Sequence, residues 1–209
     1  MKYDMHIHTK YSLCSLNKPR DILKTAIKKK LDGICVVDHN TMKGSLETKK
    51  LNKNKNLEVI AGKEIRTNYG DCVVFYHQED IKETDFLEVV DNVRKQDAFL
   101  TIAHPFRLLP YLKFKGDFSK ANCIETYNAR TFPWENKKAE KEGKELGLAS
   151  IGGSDAHFPW EIGNGLTIFD DDLRTAIKKR TTYSKGIWVP GFFASMASFT
   201  IKKFRTLFS

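Results

Sequence analysis

Short apolar runs alternate with amphipathic helical windows from residue 3 to about residue 180. A chain patterned this way folds as an α/β domain around a largely parallel sheet. Strand candidates are Tyr3–His8, Ile34–Asp38, Leu57–Ala61, Glu64–Thr67, Cys72–Tyr76, Phe99–Ala103, Asn122–Thr126, Leu148–Ile151 and Leu166–Phe169. Ile34–Asp38 is continuously apolar up to its last residue, as a strand buried on both faces is. A helix opens near Pro19, with Ile22, Leu23, Ala26, Ile27 and Leu31 on one face and Gly33 beyond its end. Further helices are expected over Thr84–Gln96 and, started by a proline, over Pro133–Leu146. About seven βα units in this length favour a compact, distorted barrel over an open doubly wound sheet. No glycine-rich phosphate loop follows the first strand, which speaks against dinucleotide binding.

The chain has 209 residues and a formal net charge of +9, but residues 173–209 hold eight Lys or Arg and no acid. The body is therefore near neutral, and no extended nucleic-acid track is expected on it. The division expected is a catalytic body over 1–185 and a basic aromatic tail over 186–209. That tail reads Trp188, Phe192, Phe193, Met196, Phe199, Ile201, Lys202, Lys203, Phe204, Arg205, Leu207 and Phe208. It is suited to an anionic membrane surface, to a second subunit, or to packing on the barrel. Cys14, Cys35, Cys72 and Cys123 form no CxxC pair, and the first eight residues are polar and strand-like, so a reducing, cytoplasmic setting is expected, with peripheral membrane contact through the tail as an addition. Gly186–Ile201, the longest charge-free stretch, is too short to span a bilayer.

Five of the six histidines end predicted strands. His6 and His8 close the first, His39 follows Asp38 on the second, His104 follows Ala103, and Asp155 and His157 follow Leu148–Ile151. His6 and His8 share one side of an extended strand, and Asp155 and His157 repeat that spacing. Strand carboxyl ends in a parallel barrel converge on one face, where catalytic groups gather. With Glu64 these residues make a mixed imidazole and carboxylate set suited to zinc, manganese or iron, and able to hold two or three ions. A lone histidine is ordinarily structural. Burying so many polar groups together without a shared partner would be costly, however, and this favours a metal site. His77 stands apart, six residues and about 20 Å along the strand from Asp71.

The motifs His6-Ile7-His8-Thr9, Val37-Asp38-His39-Asn40, Gly62-Lys63-Glu64-Ile65, Ala103-His104-Pro105-Phe106 and Gly153-Ser154-Asp155-Ala156-His157 resemble, in order, those of the PHP domain (polymerase and histidinol phosphatase). The resemblance runs from residue 1 to about 184. It implies a distorted (β/α)7, TIM-like barrel with two or three divalent ions that hydrolyses phosphoesters. Carried over by position, His6, His8, Glu64 and Asp155 hold a first ion. Glu64 bridges to a second with His104, and His39 and His157 hold a third. Glu64 and Asp155 thereby hold the metal-activated water, and Asp38 orients an imidazole from behind. At two places the pattern departs. Cys14 stands where the family has an Asp or His, and Tyr69-Gly70-Asp71 stands where many members have Gly-His, making Cys14 and Asp71 additional candidate ligands.

The expected reaction is attack on phosphorus by water acidified by two cations, with a small phosphomonoester or short phosphodiester as substrate. Arg107 and Arg130 are candidate phosphate clamps, and Glu125 is either a site residue or a structural acid. Three alternatives use the same residues: a nuclease on short oligonucleotides, an amidohydrolase-like enzyme, and a non-catalytic metal-binding module.

Overall fold

The computed structural model describes residues 1–108, 113–188 and 191–207. In chain order the elements are β1 (Lys2–Ile7), α1 (Pro19–Lys28), β2 (Gly33–His39), α2 (Lys43–Leu51), β3 (Glu58–Thr67), β4 (Gly70–Phe75), α3 (Phe86–Lys95), β5 (Phe99–Ile102), β6 (Cys123–Asn128), α4 (Pro133–Leu146), β7 (Ala149–Gly153), β8 (Gly165–Ile168), α5 (Leu173–Lys179), β9 (Tyr183–Gly186) and α6 (Gly191–Leu207). One nine-stranded sheet runs in the order β7-β6-β5-β4-β3-β2-β1-β8-β9. Neighbours β1/β2, β2/β3, β5/β6 and β6/β7 are parallel, whereas β4 and β8 run antiparallel to both of theirs.

The sheet curls until its ends nearly meet. Thr167 Oγ1 on β8 donates to Gly152 O and accepts from Gly152 N at 3.0 and 2.8 Å. Beyond β7, Ala156 forms a parallel bridge with Ile7, so the carboxyl end of β1 is held between its sheet neighbour and the segment that carries Asp155. The result is the distorted α/β barrel that the alternating pattern predicts, with nine strands in place of seven.

Three differences from the sequence pattern have clear causes. The segments Leu57–Ala61 and Glu64–Thr67 form one ten-residue strand, β3, because Gly62 and Lys63 continue the ladder to both neighbours. Helix α2 has no apolar stripe to detect, since it packs through the small residues Gly44, Ser45 and Thr48. Strand β9 reads Tyr-Ser-Lys-Gly, a mostly exposed edge with no hydrophobic alternation. By contrast, α4 matches its expected bounds, with Pro133 at its first turn and Gly147 in the left-handed region (φ 61°) just past its end.

The barrel interior is filled by Tyr3, Met5, Cys35, Val37, Ile60, Phe75, Phe99, Ile151 and Phe169. A second cluster joins β1 and β2 to α1 through Ile7, Ile22, Ala26, Ile34 and Val36. A third seats α3 on β4 and β5. Along β1 the ladder shifts register between Asp4 and Ile7. Tyr3 and Met5 lie in the interior core and Ile7 in the outer one, so His6 and His8 are the interior residues above the shift. The four cysteines are buried and unpaired.

Candidate metal centre

Above the apolar layer the barrel changes chemistry. His6, His8, Asp38, Glu64, His104, Asp155 and His157 are all buried, and His39 lies half-exposed at the rim. Two of these residues sit in unfavourable backbone conformations: His104 has φ 28° and Asp155 has φ 54°. Such geometry in residues other than glycine persists only where the surroundings impose it. Gly153 is required by close approach, since a Cβ there would lie 2.4 Å from His6 Cβ.

The donor atoms converge. His6 Nε2 and His8 Nε2 are 3.1 Å apart, and His8 Nε2 lies 3.4 Å from both Glu64 Oε2 and Asp155 Oδ1. His6 Nε2 is 3.7 Å from Glu64 Oε1 and from Asp155 Oδ1. His104 Nε2 lies 3.2 Å from Glu64 Oε1, and His39 Nδ1 lies 2.7 Å from Glu64 Oε2. Four triples each bring one donor atom per residue within 4.8 Å of one another: His8/His39/His157, His6/His8/Glu64, His6/His104/Asp155 and Glu64/Asp71/His104.

Whether these groups suit a cation can be tested on the protein itself. Ligands about 2.0–2.1 Å from a tetrahedral ion are roughly 3.3 Å apart, close to most of the spacings here. Buried His104 Nδ1 makes no hydrogen bond, and buried Glu64 Oε2 is approached only by the ring nitrogens of His39 at 2.7 Å and His8 at 3.4 Å, an arrangement that is costly unless a further partner is intended. The imidazole protons are also arranged from behind. Glu125 Oε1 faces His6 Nδ1 at 3.0 Å, and the Asp155 carbonyl faces His157 Nδ1 at 2.8 Å. Both are acceptors, so each Nδ1 carries a proton and Nε2 is the nitrogen left to face a cation. At His8 the same result comes through a relay: Ser12 donates its hydroxyl proton to Asp38 Oδ1 at 2.7 Å, leaving oxygen lone pairs to accept from His39 N–H at 3.1 Å and from His8 Nδ1 at 3.2 Å. The residues fit a cluster of divalent ions.

Charge compensation agrees. Burial alone would suppress the charge of His6, but Glu125, Asp155 and Glu64 outweigh it and raise its pKa well above the ordinary histidine value. Burial would likewise raise the carboxyl groups, yet His39 and His6 hold Glu64 well below its usual range, and Arg107 and His6 do the same for Asp155. His157 is pushed the other way, kept neutral by burial and then by Arg130.

The structure brings together all seven expected ligand residues, and it places both additional candidates nearby. Asp71 pairs with Arg66 across the β3–β4 hairpin and lies within reach of Glu64 and His104. The Cys14 thiol lies close enough to His39 to contribute to the rise in its pKa, behind Glu64. Asp38 does not touch an imidazole directly; it grips Thr9 and Ser12 and acts through the Ser12 hydroxyl. Arg107 reaches the cluster, donating to Asp155 Oδ2 at 2.5 Å and to Asn128 Oδ1 at 3.1 Å. Arg130 is turned elsewhere. Its guanidinium forks onto Glu161 at 2.9 and 2.8 Å and bonds Ser198 at 3.1 Å, all buried, so its hydrogen-bonding edge is already filled by protein. His77 lies outside the cluster, 3.2 Å from Met42 Sδ.

Sequence reasoning left two contributors unassigned. Glu125 accepts from His6, from His104 N at 2.7 Å and from Asn128 Nδ2 at 3.0 Å, and its place at the end of a buried strand was the available signal. Ser12, in an irregular loop, carried none. Of the tail, the side chains of Phe192, Phe193, Met196 and Leu207, and Phe208 as a whole, lie outside the described residues. No helix among the described residues is long and apolar enough to cross a membrane.

Comparison with known proteins agrees with this arrangement. Residues 133–182 match the family model described as PHP-associated. Two proteins of Methanocaldococcus jannaschii are similar in sequence: Uncharacterized protein MJ1587, 38% identical over 128 residues (56% of this chain and 74% of that protein), and Uncharacterized protein MJ0417, 36% identical over 182 residues (82% and 71%). Among solved structures, a two-domain Bacteroides vulgatus protein containing a predicted PHP-like metal-dependent phosphoesterase superposes with a TM-score of 0.75 at 18% identity, covering 90% of this chain and 65% of that longer one. The chain thus belongs to one family with MJ0417, carries the PHP-associated segment over residues 133–182, and gathers its five ordered strand-end motifs on one face of a barrel with the PHP-like fold.

Proposed function

We propose that this protein is a metal-dependent hydrolase of phosphoesters, acting on a small phosphomonoester or a short phosphodiester. The observation that carries the proposal is the convergence of four donor triples beside a partly buried arginine, Arg107, whose Nη2 sits on the Asp155 carboxylate. His6, His8, Glu64 and Asp155 would hold one cation, Glu64 and His104 with Asp71 a second, and His8 or Cys14 with His39 and His157 a third. Divalent ions so held supply Lewis-acid polarisation of a phosphoryl oxygen and a water acidified toward neutral pH.

The chain's own groups do the rest. Glu125, Ser12 and the Asp155 carbonyl keep the Nε2 lone pairs of His6, His8 and His157 pointed inward. Arg107, fixed by Asp155 and Asn128, presents its remaining N–H groups to non-bridging phosphate oxygens through charge-assisted bonds. No serine or cysteine nucleophile is needed. Purified protein supplied with Mn or Zn is expected to release p-nitrophenol from p-nitrophenyl phosphate or its bis ester, and to lose that activity on chelation or in His6→Ala with the fold intact. Cleavage of an amide substrate with neither ester touched would overturn the proposal in favour of amidohydrolase chemistry.

A further inference from the structure

The loop between β1 and α1 runs along one side of the cluster. Ser12 sets the proton on His8 and bonds the backbone of His39, and Cys14 lies beside the His39 ring. The loop is fastened from an unexpected place. Arg205, near the end of α6 and 190 to 195 residues along the chain, donates from Nη1 to Ser15 O at 3.0 Å and Ser12 O at 3.5 Å, and from Nη2 to Lys10 O at 3.0 Å. One planar guanidinium thus ties three carbonyls spread over six residues, a geometry that a lysine cannot reproduce. Seven residues earlier on the same helix, Ser198 bonds Arg130, whose partner Glu161 accepts from the backbone N–H of His157 at 2.8 Å. The helix therefore grips the two loops that support opposite sides of the His8/His39/His157 group.

We propose that Arg205 is a positioning residue of the metal centre: from the C-terminal helix it straps the 10–15 loop, and so holds the Ser12 hydroxyl and the Cys14 thiol against His8 and His39. This rests on the function proposed above for what the cluster binds, but the strap itself is built of protein atoms alone.

The test therefore begins without metal. Cys14 is only 8% exposed, and Cys35, Cys72 and Cys123 are fully buried. In the full-length protein, iodoacetamide labelling followed by peptide mass spectrometry reads each thiol separately. Arg205→Ala is expected to speed labelling of Cys14 about tenfold or more while the other three stay protected. Millimolar guanidinium is expected to slow it again, where urea at the same concentration and the Arg205→Lys variant do not. With Mn or Zn added, calorimetry is expected to give about tenfold weaker binding for Arg205→Ala, in the range known for residues that orient ligands. An unchanged Cys14 rate overturns the proposal, as does acceleration at all four cysteines together, which would make Arg205 a general stabiliser. Wild-type protein that binds no metal would remove the proposed function, and that result is distinct from any change in labelling.

Discussion

Glu125→Gln exchanges an acceptor for a donor at the point where the proton on His6 is decided. In the wild type, Oε2 takes N–H groups from His104 at 2.7 Å and Asn128 at 3.0 Å, and Oε1 takes the Nδ1 proton of His6 at 3.0 Å. A glutamine must choose an orientation. Turning its amide nitrogen toward His104 and Asn128 opposes two buried donors, whereas turning it toward His6 opposes one, and each frustrated group costs about 1–3 kcal/mol. The carbonyl therefore stays with His104 and Asn128, and the new N–H₂ faces His6 Nδ1. That nitrogen then has to accept, which moves the imidazole proton to Nε2, the atom 3.1 Å from His8 Nε2. The lone pair that His6 offers the cluster is lost. Removal of an orienting partner typically weakens metal binding by about 10–100-fold, or about 1.4–2.7 kcal/mol, and the upper end is expected here because the ligand atom itself becomes protonated. Calorimetric titration with Mn or Zn measures the affinity, and nitrogen NMR of the imidazoles reports the tautomer. Affinity within twofold of wild type, with His6 still protonated at Nδ1, would refute the reasoning.

Ser12→Ala removes the acceptor for His8 Nδ1 and is expected to lower metal affinity by about tenfold with little change in thermal midpoint; equal affinity would count against the Asp38–Ser12–His8 relay. Glu161→Ala strands buried Arg130 and two backbone donors, at His157 and Phe158, so urea denaturation is expected to show a loss of about 3–5 kcal/mol, and a loss below about 1 kcal/mol would contradict a fully paired buried arginine. Asp4, wholly buried, has its carboxyl pushed up to about 6 by burial, against backbone hydrogen bonds from Ser154, Gly163 and His6 that lower it. A raised folded-state pKa favours the protonated form, so this stabilising contribution is present below the unfolded value near 3.8 and is lost as pH rises through 6. Metal-free wild type is therefore expected to lose about 3 kcal/mol relative to Asp4→Asn between those pH values, and a pH-independent difference would exclude it.

Much of the molecule could be read from its residues because the reading relied on strong periodicities. The strand-end positions of His6, His8, His39, His104, Asp155 and His157 follow from where apolar runs stop, and a parallel barrel makes such ends converge whatever their separation in sequence. What could not be read depends on side-chain direction. Arg130 and Arg107 sit in equivalent-looking segments after strands, yet only packing against Glu161 or Asp155 decides which faces the cluster. The role of Ser12 comes from a hydroxyl rotor aimed by Asp38, and a turn serine has no periodic signature. Helix α2 was invisible for a related reason: Gly44 must be glycine to let Asp38 and Thr9 come close, so the helix lacks the bulky stripe by which helices are recognised.

The bridge between Ile7 and Ala156 also bears on how the protein is made. Asp4 receives the backbone N–H groups of Ser154 and Gly163, and His8 N–H donates to Ala156 O, so the first strand is completed only by residues some 150 positions later. A ribosome finishes that first strand early and the segment that seals it late, leaving two imidazoles and a buried-type carboxyl without their native surroundings throughout synthesis. Contacts of such long sequence separation slow folding, and here one such seam is the one that assembles the donor cluster. Ions held as proposed would find their full donor set only in chains whose barrel has already shut.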